Sequence, residues 1–164
     1  MQRTFSLIEL VIVVVIIAVI AAIAMPRATE ASRNAEAAAM AAHIRRVADA
    51  FELHHAEHGQ WPPDSSPGAT PTVMVDRLRP GDIGPMPVGG SYDWQNRVDA
   101  AVPLGGIWFG VCGHQAGPRA SELLQRVDAI LDDGDLETGM FVVHSLYAID
   151  VGVGYASLRL RHPA

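Results

Sequence analysis

From Leu10 to Met25 the chain reads LVIVVVIIAVIAAIAM, a run with no charge and no strong hydrogen-bonding side chain. Such a run must lie in lipid or be covered by protein, because apolar surface left in water costs about 25 cal/mol per Å². Together with Phe5 to Glu9 it forms a 21-residue span. As a helix that span is roughly 32 Å long, enough to cross the hydrocarbon core of a bilayer. A secretory signal peptide is the other reading of an N-terminal apolar stretch, and Ala21, Ala22 and Ala24 imitate its cleavage site. Its apolar core is normally shorter, however, and here helix-forming sequence continues straight past the run. Arg3 and the amino terminus carry the positive charge ahead of the span, which favours a cytoplasmic N-terminus and an extracytoplasmic remainder.

The 164 residues suffice for one membrane helix and one modest domain. A net charge of −6, with no basic stripe, gives a nucleic-acid partner no electrostatic support. Cys112 is the single cysteine, so no intramolecular disulfide can form. Its setting, Gly-Val-Cys-Gly, reads as a strand in which the thiol is a small buried hydrophobe.

Glu9 enters the apolar span, where a carboxylate is costly and a functional candidate by default. Ser6-Leu-Ile-Glu9 also fits the capping-box pattern, in which Glu9 serves the backbone at a helix start. Spacing alone leaves both readings open. Phe5-Ser-Leu-Ile-Glu-Leu10, followed by the Val/Ile/Ala run, resembles the N-terminal signature of type IV pilins and type II secretion pseudopilins, commonly Gly-Phe-Thr-Leu-Ile-Glu. The resemblance covers about the first 30 residues. It implies that a prepilin peptidase cuts between Thr4 and Phe5 and methylates the new amine of Phe5. It further implies that Glu9 pairs with such an amine during assembly, and that Pro26 is the helix-kinking proline. Two positions depart from the family pattern: Thr4 stands where Gly usually precedes the cut, and Ala18 where a mid-helix Gly is common.

After Pro26 the sequence is rich in Ala and strong helix formers, with neither Pro nor Gly until Gly59. Ile44, Val47, Ala48, Phe51 and His55 follow helical spacing and predict a stripe that packs on a globular head. Arg33, Glu36, Arg45, Arg46, Asp49 and Glu52 are expected to face solvent or neighbouring subunits. Gly59-Gln-Trp61-Pro62-Pro63 ends the helix, with Gly as cap and prolines beyond it, and resembles the Gly-x-Tyr-Pro turn of many pseudopilins. Two Pro/Gly-dense stretches read as loops, with a short helical turn between them over Val73–Leu78.

Strands are expected at Ser91–Trp94, Gly106–Cys112, Met140–Tyr147 and Tyr155–Leu160. An amphipathic helix is expected over Pro118–Leu131, with Leu123, Leu124, Val127, Ile130 and Leu131 inward. Tyr92-Asp-Trp94 and the run from Asp128 to Gly139 resemble head segments of some pilin-like proteins. The expected fold is α+β: a long N-terminal α-helix, membrane-spanning in its first half, packed on a small antiparallel β-sheet head. The corresponding divisions are a leader at 1–4, a transmembrane helix at 5–25, its amphipathic continuation at 26–58 and a head at 59–164.

His54, His55 and His58 crowd the end of the long helix, and His54 and His58 can share a face. The helix dipole explains them as well as a metal does, and the sequence adds no cysteine nearby. Asp132, Asp133, Asp135 and Glu137 flank Gly134 at the end of the second helix, where the dipole opposes carboxylates. An Asx turn is the plain reading. Calcium is the functional one, since some pseudopilins bind it in the head, although the spacing is not that of an EF-hand. No catalytic constellation emerges: Ser145 beside His144 lacks a G-x-S-x-G elbow, and no phosphate loop or H-E-x-x-H occurs.

The expectation is therefore a structural subunit of a pilus or secretion pseudopilus, without enzymatic activity or cofactor. It would sit in a bacterial inner membrane with its head in the periplasm or in a filament. Its expected partners are the prepilin peptidase, its own copies and other pilin-like subunits. The rival class is a membrane-tethered binding module.

Overall fold

Helix α1 runs from Leu7 to His58, 52 residues, in a computed structural model that describes residues 6–86, 89–97, 106–115, 118–144 and 153–159. At 1.5 Å per residue this helix is about 78 Å long. Leu10 donates its amide to the Ser6 carbonyl at 3.3 Å where the helix begins, and Gly59, at φ +70°, ends it by donating its amide to the His55 carbonyl at 2.8 Å. Glycine suits that left-handed position because a Cβ there would crowd the adjacent carbonyl. Pro26 lies inside α1, which continues through it. One turn later the Thr29 hydroxyl donates to the Met25 carbonyl at 3.0 Å. Such back-bonding bends helices slightly.

The chain's contacts separate two units, Met1–Glu36 and Ala37–Ala164, so α1 contributes to both. In the first unit the large apolar side chains from Leu7 to Met25 are 49–80% exposed within the chain. This part of α1 is long and apolar enough to cross a membrane.

The second unit starts 22 residues before the expected head at 59, because the last part of α1 belongs to its core. Ala37, Met40, Ala41, Ile44, Val47, Ala48 and Phe51 are buried at spacings of three and four, one stripe of a 3.6-residue period. The expected stripe thus begins two turns earlier than Ile44. His55, at its far end, is half-buried and stacks on Trp61 at 4.3 Å. A 3₁₀ turn covers Thr72–Met74 and buries Met74.

A four-stranded antiparallel sheet follows, built from β1 (Ser91–Arg97), β2 (Gly106–Gln115), β3 (Phe141–His144) and β4 (Val153–Arg159). Its order is β1-β2-β4-β3, so the last strand lies between β2 and β3. Between β2 and β3 the chain forms α2, Pro118–Leu131, with the bounds the sequence predicts. Leu123, Leu124, Val127 and Leu131 are buried as expected, whereas Ile130 is 40% exposed. The expected strand residues 145–147 and Leu160 lie outside the described residues.

Phe51 from α1 stacks on Trp94 from β1 with ring centroids 3.8 Å apart, and Phe109 of β2 faces the same ring at 6.1 Å. Trp94 and Phe109 are also register partners across the β1–β2 ladder. The indole N–H of Trp94 donates to the Pro62 carbonyl at 3.2 Å, so this fully buried side chain leaves its one polar atom paired. Cys112 is half-buried in β2 instead of fully buried. The α+β layout of the sequence expectation is therefore present, with a long helix and an antiparallel sheet.

Candidate functional site

Two places gather the residues that the sequence singles out. At the start of α1 the Ser6 amide donates to Glu9 Oε2 at 3.0 Å. That contact is one half of the capping box: the carboxylate satisfies an amide that has no partner within the helix. Glu9 itself is exposed, on the same segment as the exposed apolar side chains. Thr4 and Phe5, the expected cleavage and methylation positions, lie outside the described residues.

The second place is the turn that carries the chain from α2 to β3. At the end of α2 the Asp132 amide donates to the Asp128 carbonyl at 2.6 Å. Asp133 Oδ1 then accepts from the Asp135 amide at 2.9 Å, and Asp135 Oδ1 from the Glu137 amide at 3.1 Å, two successive Asx turns. The Thr138 hydroxyl donates to Asp133 Oδ2 at 3.0 Å. Asp132 Oδ2 accepts from the Met140 amide and, at 3.4 Å, from the Phe141 amide, which ties the end of α2 to the first residue of β3. Gly134 and Gly139 adopt φ of +85° and +84°, and a Cβ on Gly139 would overlap the Asp132 carboxylate.

Asp128 completes this site and is the residue that the sequence expectation leaves out. It is wholly buried, with both carboxylate oxygens lacking a hydrogen-bond partner. Burial first, then the neighbouring carboxylates of Asp133, Asp132 and Asp135, push its pKa up to about 6; the Gly134 amide opposes this in part. That amide faces the carboxylate without reaching hydrogen-bonding geometry. Oxygens of Asp128, Asp132 and Asp133 lie within 4.8 Å of one another. Among the described residues these three form the one group of carboxylate, imidazole or thiol ligands close enough to share an ion.

Asp132 and Asp133 belong to the group, Asp135 and Glu137 do not, and Asp128 takes their place. Asp128 lies on α2 one helical turn before Asp132, the first residue past its end, which brings the two carboxylates to the same side of the turn. The available signal was the 128/132 spacing; the aspartate's burial had no signature among the helix's apolar residues.

His54 and His58 stack face to face at 4.2 Å, and His58 Nδ1 meets the His54 carbonyl at 3.0 Å. Neither belongs to a group of three ligand side chains close enough to share an ion among the described residues. The His54 pKa is lowered, first by desolvation and then by His58.

Arg46, expected to face outward, instead holds Asp82 with two guanidinium contacts of 2.7 Å. The Arg79 amide donates to the same carboxylate at 2.9 Å. His43 completes the group, with Nε2 at 2.9 Å from the Asp82 carbonyl and Nδ1 at 3.1 Å from Arg46. An Nε2–H tautomer satisfies both contacts, donating to the carbonyl and accepting from the guanidinium. These bonds fix the loop around Asp82 to α1.

Compared with family models, with curated proteins and with solved structures, the chain matches none of them.

Proposed function

We propose that this chain is a structural subunit of a type IV pilus-like or type II secretion pseudopilus filament, held in a bacterial inner membrane before assembly. The observation that carries the reading is the FSLIEL signature running directly into apolar helix whose large side chains are exposed in the described structure. In this reading residues 5–25 cross the bilayer, the N-terminus is cytoplasmic, and the second unit is extracytoplasmic. Prepilin peptidase cuts between Thr4 and Phe5 and methylates Phe5, and Pro26 bends the helix.

Glu9 has a chemical task here. In a subunit alone its carboxylate caps Ser6. On assembly the amine of Phe5 from a neighbouring subunit takes that carboxylate, and each charge offsets the other's desolvation in apolar surroundings. The exposed apolar face is then covered by the same face of neighbouring copies. The chain carries a structural role in this reading and performs no catalysis.

Mass spectrometry of the membrane-extracted protein tests the processing step. The expected mature chain begins at methylated Phe5, and a chain retaining Met1 to Thr4 would overturn it. Glu9→Gln tests assembly, because Gln keeps the capping geometry and loses the charge. Membrane levels should match wild type while sheared filament yield falls. Unchanged filament yield would return Glu9 to a capping role. A protein that stays monomeric in the membrane while its extracytoplasmic unit binds a ligand would instead be a tethered binding module.

A further inference from the structure

The end of α1 gathers three histidines, one arginine and a single carboxylate. His54 and His58 stack with ring centroids 4.2 Å apart. Arg77, just past the 3₁₀ turn, reaches this end of the helix and pairs with Glu57. A carbonyl only accepts, so the 3.0 Å contact between His58 Nδ1 and the His54 carbonyl places a proton on Nδ1 and leaves Nε2 as the basic atom. His54 Nδ1 is buried without a hydrogen-bond partner. Whichever tautomer is present, the protonated ring would carry an Nδ1–H with no acceptor in this arrangement. His58, Arg77, Glu57 and His55 are the charged and titratable groups that face His54, and Glu57 is the one anion among them. Helix ends of this polarity attract cations, but Arg77 already brings one.

We propose that this end of α1 is a proton-operated clasp on the segment that follows the 3₁₀ turn. With His54 and His58 neutral, Glu57 holds Arg77. When the stacked rings take up protons, two cations face each other beside a third, and Glu57 exchanges Arg77 for the imidazolium groups. Glu57 is placed for that exchange, three residues after His54 and next to His58, since residues three apart are neighbours on a helix surface. Its present bond is open to competition, because the Arg77 and Glu57 side chains are 31% and 44% exposed and an exposed ion pair is weak.

The direction of the response follows from the same contacts. Desolvation first, then His58 and Arg77, lower the His54 pKa, with Glu57 opposing them. An imidazole lowered by folding binds fewer protons in the folded state than in the unfolded one. The clasp is therefore closed above about pH 6.5, the ordinary histidine value, and opens as pH falls through the lowered value of His54. Glu57 stays ionised over this interval, because the Arg77 hydrogen bond lowers its own pKa. Opening frees Arg77 and leaves Met74 in place, since that side chain is fully buried in the core. The clasp belongs to the second unit alone and stands whether or not the chain assembles into filaments.

The test uses the full-length protein in detergent micelles, isotopically labelled in arginine and histidine. NMR follows the Arg77 Nε–H signal, assigned by its loss in Arg77→Lys, from about pH 7.5 to about pH 5.5, an interval that brackets histidine. At the upper end Glu57→Gln should move this signal to the position of an unpaired arginine. In the wild type the signal should travel to that same position as pH falls, in step with the ring signals of His54 and His58. The double variant His54→Gln/His58→Gln should keep it at the paired position throughout. An Arg77 signal that stays paired while both rings titrate would overturn the proposal, and so would the same shift in the double variant. Identical Arg77 signals in wild type and Glu57→Gln at the upper end would also overturn it. Glu57 is exposed, so its variant and the wild-type titration decide the matter if the double variant does not fold.

Discussion

Asp82 and Asp128 are both buried aspartates, and their surroundings drive them in opposite directions. Asp82 is met by the Arg46 guanidinium and the Arg79 amide, and its pKa falls to about 2, chiefly through the Arg46 hydrogen bonds. Asp128 is taken out of water beside other carboxylates, which the Gly134 amide offsets only in part, and its pKa rises. For Asp82 the linkage follows from the lowered value. An unfolded aspartate titrates near 3.9, so the native state binds fewer protons than the unfolded state between about pH 4 and pH 2. The stabilisation is therefore complete above about pH 4 and is lost as pH falls through 2. Arg46 is 43% exposed along its side chain, and solvent screening limits the contribution to about 1–2 kcal/mol. Denaturant melts from pH 5 to pH 2 should show this acid limb in wild type. Asp82→Asn should be less stable at pH 5 and should lose less stability over the same interval. Parallel curves for the two proteins would exclude Asp82 as its source. His43, Arg46 and the Asp82 loop are the groups that face one another here, so His43→Ala should leave the acid limb in place.

At the scale of elements, α1 has two halves with different partners. The apolar pattern before Met25 covers the whole circumference, which is the mark of a helix solvated by lipid or by other helices. From Ala37 onward the buried positions narrow to one stripe, the mark of a helix with one packed face. Phe51 is the anchor of that stripe, being fully buried between Trp94 and Phe109. Phe51→Ala should cost about 3–5 kcal/mol, the usual range for removing a buried aromatic side chain. Val73→Ala, at a half-exposed side chain in the 3₁₀ turn, should stay within about 0.5 kcal/mol. Chemical denaturation of the two variants under one set of conditions checks the contrast; equal losses would place the energetic centre elsewhere. Residues from α1, β1 and β2 meet at this aromatic cluster, so the loss should appear as a lower midpoint of one cooperative transition.

For the whole molecule, the described buried core begins at Ala37 and contains nothing from the first unit. A fragment of residues 37–164 therefore keeps the complete described core, whereas one of residues 59–164 loses Met40, Ile44, Val47 and Phe51 with the rest of the stripe. The longer fragment should be soluble, with fixed near-ultraviolet circular dichroism and a cooperative melt. The shorter one should lack that signal and aggregate, because Trp94 and Phe109 would face water. A cooperatively folded 59–164 fragment would show that α1 decorates the domain instead of completing it. The comparison separates two purposes that one continuous helix combines.

The sequence by itself determined the elements whose signals are local. The apolar run, the glycine cap at Gly59 and the period of Pro118–Leu131 each depend on residues within a few turns, and each element appears where those residues place it. Strand positions were legible for the same reason, from β-branched and aromatic runs bounded by glycine. Only the tertiary structure decided which distant groups meet. Arg46 finds Asp82 36 residues further on, an encounter that no helical period encodes. The last strand enters between β2 and β3, because sheet order depends on how faces pack and not on where strands fall in the chain. Asp128 shares one sequence pattern with its acidic neighbours, yet packing of α2 buries it and leaves Asp133 in solvent. The candidate ion site was therefore half legible: local composition marked Asp132 and Asp133, while burial, a property of the folded molecule, singled out Asp128.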